Sequence, residues 1–129
     1  MNKITVLQKS VVLVVVALFL CASSVPAQDM AKVAPKTVKV VLDNDKVRIY
    51  EVTAKAGDKL PMHSHPANIV IPITAGKTKT TMADGKVKET EFKVGEPRWS
   101  EPVTHANEAL TDVHVMVIEL KDQTMMKKK

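Results

Sequence analysis

Apolar positions in this chain alternate with polar ones far more often than they recur at helical spacing. Residues 37–42 are Val-rich, Asp43, Asn44 and Asp45 form a turn cluster, and residues 46–54 resume with Val47, Ile49, Tyr50 and Val52. Residues 68–74 are a nearly continuous apolar run around Ile69, Val70, Ile71 and Ile73, the length expected of a strand buried on both faces. Residues 77–82 and 86–94 flank Asp84-Gly85, a pair that closes hairpins because both positions tolerate positive φ. A last strand is expected over residues 113–121, with Val113, Val115, Val117 and Ile118. The four glycines, at 57, 76, 85 and 95, fall between these runs and interrupt none. Beyond position 27 no stretch of ten or more residues carries a 3.6-residue apolar stripe. The pattern predicts an all-β domain, an antiparallel sandwich or barrel.

Residues 1–27 have a different character. Lys3 and Lys9 precede an unbroken apolar run over 11–22, and Ser23, Ser24, Val25, Pro26 and Ala27 follow before Gln28. A positive start, about a dozen apolar residues and a small-residue exit describe a secretory signal peptide cut after Ala27. The run is shorter than the roughly 20 residues a membrane span needs, so no stable membrane insertion is expected after cleavage. Leu20 stands where a small residue would precede a lipidated Cys21. The expected location is periplasmic or secreted. Residues 28–36, with Pro35 and no periodicity, read as a flexible linker; residues 37–122 as the β domain; and 123–129 as a basic tail.

Charge looks like an invitation to nucleic acid until its distribution is examined. The chain of 129 residues carries 19 Lys/Arg against 14 Asp/Glu, a formal +5. Five of the basic residues are Lys3, Lys9 and the terminal Lys127, Lys128 and Lys129, so the body is neutral. With one Trp, one Tyr and two Phe, a surface that tracks phosphates and stacks bases is not expected. The one cysteine, Cys21, lies in the signal segment, so stability of the exported domain must come from packing, a metal or oligomerisation. Phosphate loops, G-x-S-x-G and H-E-x-x-H are absent, which leaves metal-borne or acid–base chemistry.

The four histidines carry the chemical information. His63 and His65 are two apart, so on an extended strand both imidazoles project from one face, and imidazole is a common ligand of divalent transition metals. Gly57, five residues, His63, one residue, His65 and ten residues to Gly76 follow the frame G(X)5HXH(X)3E(X)6G, except that Ile69 stands at the acid. After a gap of eighteen residues, Gly95 and His105 half-match a second motif. Over roughly residues 46–121 the chain resembles a small single-domain cupin.

That resemblance implies a jelly-roll β-barrel (double-stranded β-helix), often dimeric, with His63, His65 and His105 at metal-ligand positions. It implies a divalent transition metal (Fe, Zn, Mn, Ni or Cu), a small-molecule ligand or substrate, and a homodimer. The second motif departs from the family pattern. Its Gly95 to His105 separation is one residue short, Ser100 and Pro102 replace the usual proline and glycine, and Ala109 stands at the asparagine, with Asn107 close by. Ile69 removes an acidic ligand, yet three neutral imidazoles suffice for zinc in carbonic anhydrase, with an open position for water or substrate. Some thiol dioxygenases of the superfamily also hold iron with three histidines. The family's members include enzymes, ligand-binding modules and storage proteins, so a metalloenzyme, a binding module and a structural protein all stay open.

Other residues have plainer expectations. Asn68 should face away from the two histidines on a regular strand. His114 alternates with Val113 and Val115 and reads as an ordinary strand histidine. Met62 points away by parity, and the methionines serve packing and termini. Glu101 and Glu108 flank a His105 loop as solvated acids. Trp99 is expected in the core. Arg48 and Tyr50 share a strand face: inside the barrel they would meet a carboxylate substrate, whereas at an edge they would form a surface ion pair.

Overall fold

The computed structural model describes residues 28–121; the expected signal segment 1–27 with Cys21, and the tail 123–129, lie outside the described residues. A one-turn helix α1 (Met30–Val33) precedes nine strands: β1 (Val38–Asp43), β2 (Val47–Ala54), β3 (Lys59–His65), β4 (Asn68–Pro72), β5 (Gly76–Met82), β6 (Val87–Phe92), β7 (Arg98–Ser100), β8 (Val103–Ala109) and β9 (Val113–Leu120). They form a five-stranded sheet in the order β1-β2-β9-β4-β7 and a four-stranded sheet in the order β3-β8-β5-β6. Every pairing is antiparallel. Apart from the β1–β2 and β5–β6 hairpins, each connection crosses between the sheets, which is jelly-roll topology. The two sheets face each other without closing; the strand pattern allowed a sandwich or a barrel, and the family resemblance implied the barrel.

The core follows from strand alternation. On β9, Val113, Val115, Val117 and Glu119 are buried while the residues between them are half-exposed. Ala54, Val52 and Tyr50 on β2 pair with Val113, Val115 and Val117, so the middle of the larger sheet presents a valine-rich inner wall. Strand β4 lies between β9 and β7 but fully buries just Asn68 and Pro72, leaving residues 69–71 half-buried rather than enclosed on both faces. A hairpin forms around Asp84-Gly85, with Asp84 Oδ1 accepting from Lys86 N at 3.0 Å, but of the pair just Gly85, at φ +85°, takes the positive φ that the sequence allowed at both positions. Gly76 is required for another reason, since a Cβ there would lie 2.8 Å from Asp112 O.

Residues 28–36, read from the sequence as a flexible linker, carry a helical turn and contacts to the sheets. Asp29 caps α1 by accepting from Ala31 N at 2.9 Å. The same carboxylate accepts from Arg48 Nη1 at 2.6 Å and from the Tyr50 hydroxyl at 3.2 Å, both on β2. Gln28 O accepts from Ser64 N at 3.1 Å on β3, and Met30 is buried. The segment thus straps the edge where β1 and β3 lie, with α1 packed on both strands. Four helical residues are too few to show a periodicity, and the carboxylate that anchors them finds its partners 19 and 21 residues away.

Burial acts to raise the Asp29 pKa, but the Ala31 N–H and the Arg48 guanidinium outweigh it and hold the carboxyl below its ordinary value. A depressed folded-state pKa contributes stability above the unfolded value of ~3.9, and that contribution is lost as pH falls through the folded one. Asp29→Ala is therefore expected to cost about 1–3 kcal/mol at neutral pH through the lost cap and ion pair. Chemical denaturation of both proteins should show this gap, and should show it shrinking in strong acid.

Candidate metal centre

Strand β3 is an edge strand paired to β8 alone, and its pairing shifts register between Leu60 and His63. The irregularity spans Pro61, which lacks an N–H and is tolerated at edges and bulges. Beyond it His63 pairs directly with His105, and His65 lies two residues further along the same inner face. His63, His65 and His105 can thereby each offer a ring nitrogen, all within 4.8 Å of one another. The sequence-predicted triad is brought together, although His105 lies in a strand and not in a loop.

Hydrogen bonds fix which nitrogens face the centre. His63 Nδ1 donates to Pro61 O at 2.7 Å, and His65 Nδ1 donates to Glu119 Oε1 at 2.6 Å. Each ring in its neutral form then keeps its lone pair at Nε2. His63 is 1% exposed and His65 7%, and His63 Nε2 is a buried nitrogen with no hydrogen-bond partner among the described residues. Desolvation lowers the pKa of His63, against the opposing effect of its bond to Pro61 O. Desolvation also lowers that of His105, to about 3, with the neighbouring rings of His63 and His65 adding to it. Three clustered imidazoles, one with an unsatisfied buried nitrogen, are a donor set that fits a divalent transition metal.

The strand after the histidines corrects the sequence reading. Asn68, expected to face away, is 2% exposed and lines the cavity beside His63 and His65, as Val70 does. Ile69 alternates to the outer face, opposite Ile118 and Trp99. Counting from His65 fails because β3 ends there and β4 begins at Asn68. The phase of β4 is set by its pairing with β9, where Asn68 lies opposite the inward Glu119. Asn68 Nδ2 donates to Pro66 O at 2.9 Å, a bond that does not engage its carbonyl oxygen.

Glu119 was missed. It closes the inward series Val113, Val115, Val117, and a carboxylate in such an apolar row was the available signal. A carboxylate on Nδ1 of a histidine orients the ring and makes Nε2 more basic.

His114 faces outward, its Nε2 bonding Glu51 Oε1 at 2.9 Å, and Met62 is exposed. Arg48 belongs to the Asp29 pair and Tyr50 to the core, and neither lines the cavity. Glu108 pairs with Lys79 at 2.7 Å, and Glu101 accepts from Trp99 Nε1 at 2.7 Å. Trp99 is 45% exposed on the short strand β7, against the expectation that it would enter the core. The cavity between the sheets measures about 360 Å³, with the histidines on the four-stranded side and Val52, Val113, Val115 and Val117 opposite.

Glu119→Leu should destabilise the fold by about 1–3 kcal/mol, because it leaves a buried Nδ1–H without an acceptor. Glu119→Gln keeps an acceptor oxygen and should cost less. Denaturation of both variants in the presence of a chelator checks this apart from any metal.

No family model matches the chain, and no curated protein does. Solved structures do match it. A cupin domain from Bordetella pertussis Tohama I is 24% identical, over 66% of this chain and 92% of that one, with a TM-score of 0.60. An RmlC-like cupin protein from Desulfovibrio desulfuricans is 21% identical, over 77% and 93%, with a TM-score of 0.54. An RmlC-like cupin family protein with a double-stranded β-helix fold from Methanocaldococcus jannaschii is 16% identical, over 64% and 77%, with a TM-score of 0.53. Jelly-roll topology, an inward histidine triad and these likenesses agree, and the chain is a small protein of the cupin fold.

Proposed function

We propose that this protein is exported to the bacterial envelope and binds one divalent transition metal through His63, His65 and His105, beside a cavity that admits a small molecule. The observation that carries the reading is His63 Nε2, buried, without a partner among the described residues and within 4.8 Å of the ligand nitrogens of two further histidines. Leaving such an atom unsatisfied is costly, and a metal ion compensates it. Lowered pKa values at His63 and His105 keep those rings in the neutral form that binds metal.

When bound, the ion supplies a Lewis acid or oxygen-activating centre with open coordination positions. The chain's own part is to hold and orient. Glu119 fixes the His65 ring, Pro61 O fixes the His63 ring, and the valine wall limits water. Ile69 points outward and does not plug the space beside the triad, and Asn68 supplies a polar inner residue there instead. This favours a small-molecule site over a purely structural barrel.

Elemental analysis of the untagged protein from its native compartment should give near-stoichiometric metal, and a His63→Ala/His105→Ala double variant should give a trace. Equal traces in both, with a melting temperature unmoved by divalent ions, would overturn the metal reading and leave a ligand-binding cupin without an ion. The intact mass of the same preparation tests export, since cleavage after Ala27 yields a chain beginning at Gln28.

A further inference from the structure

The cavity has a definable mouth. Of the described residues that line it, Lys88, Arg98 and Trp99 are exposed and the others are buried or half-buried. All three lie on β6 and β7, edge strands of the two sheets. An Arg98 N–H donates to Glu91 O across the gap, and its guanidinium sits 5.5 Å from the Phe92 ring centre, so these edges are neighbours. The opposite side, at β1 and β3, is covered by α1, with Met30 inserted into the lining. A ligand therefore reaches the histidines between β6 and β7.

The lining is lopsided in charge. Lys88 and Arg98 are its formally charged residues, and no Asp or Glu lines it among the described residues. The Lys88 ammonium makes no hydrogen bond or ion pair among the described residues, whereas Lys77 and Lys79 on the adjacent strand pair with Glu91 and Glu108. Alternation turns Glu89 and Glu91 to the other face of β6, and Trp99 holds Glu101. Behind the mouth, Thr80 lies between Lys88 and Asn107 in one cross-strand row, and Thr90 pairs with Thr78 in the next. These hydroxyls and the Asn107 amide face the apolar wall of Val52, Val113, Val115 and Val117. The volume, about 360 Å³, lies at the small end of ligand pockets.

We propose that the cavity takes a small organic monocarboxylate, with its carboxylate held at the mouth by Lys88 and Arg98 and its apolar body against the valine wall, reaching toward the histidines. The inference rests on the metal reading for what lies at the deep end, but recognition at the mouth belongs to the two cations. Arg98 retains donors beyond the one used on Glu91 O, and a guanidinium fork matches a carboxylate.

The test is calorimetric titration of the zinc-loaded protein, as isolated from its native compartment, with hexanoate and with hexanamide, its neutral counterpart. Hexanoate should bind at least about tenfold more tightly, with a preference that weakens as salt is raised. Lys88→Met should remove most of that preference and Lys88→Arg should retain it, both with unchanged metal content. Lys88 has no described partner to lose, so its replacement leaves the fold intact; Arg98→Gln, which also cuts the bond to Glu91 O, is the confirmatory variant. The His63→Ala/His105→Ala protein separates the two readings, since the carboxylate preference should persist there without metal. Equal binding of acid and amide would overturn the proposal, as would a preference that ignores Lys88 and Arg98 and vanishes with the histidines.

Discussion

The cross-strand pairing of His63 with His105 is the contact around which the interior is arranged. It sets two imidazoles side by side on the inner face of one sheet, and the two-residue repeat of β3 adds His65. Rings so close and so removed from water cannot all be charged, which is why desolvation and mutual repulsion lower the His105 pKa to about 3. They must also be hydrogen-bonded where they are not meant to bind something else. Pro61 O and Glu119 satisfy the two Nδ1 atoms, and the inward nitrogens are what remains.

Satisfying that requirement draws on both sheets. Glu119 belongs to the five-stranded sheet and His65 to the four-stranded one, so their 2.6 Å bond ties the layers together beside the cavity. The Asp29 cluster does comparable work for the N-terminal segment, joining α1 to β2 through Arg48 and Tyr50. The described residues contain no cysteine, and these two carboxylates act as polar cross-links where a disulfide would otherwise serve. Their positions also decide access. One side of the sandwich is strapped by residues that a carboxylate anchors, and the other ends in two short edge strands bridged by Arg98.

What the sequence made legible was whatever alternation or spacing encodes within a single strand. Val113, Val115 and Val117 announced β9, Asp84-Gly85 announced the hairpin, and His63 with His65 announced one face. Strand β8 was hidden because its inward residues, His105 and Asn107 among them, are polar ones that serve the site instead of a hydrophobic core. The phase of β4 was misread because it depends on pairing with β9 and not on distance from His65. Glu119 and Asp29 were invisible as functional groups for the same reason: their partners lie 54 and 19 residues away. Closure of a barrel was likewise a matter of pairing between distant edges, and those edges stay apart.

Replacing an acid by neutral donors changes the electrostatics of such a centre more than its geometry. A carboxylate ligand would cancel part of the charge of a bound dication, whereas three neutral imidazoles leave that charge whole. Glu119 is one bond removed, on the far nitrogen of His65, and Asn68 brings an uncharged side chain to the inner face of β4. Lys88 and Arg98 at the mouth add positive charge, and low-dielectric walls such as those formed by Val113, Val115 and Val117 concentrate the resulting field. With a dication bound as proposed, positive charge would lie at both the mouth and the deep end, with Glu119 offsetting part of it behind His65. On the proposed reading, the species that completes the cavity is an anion with enough apolar surface to displace water from the valine wall, and the same field would disfavour cations of equal size.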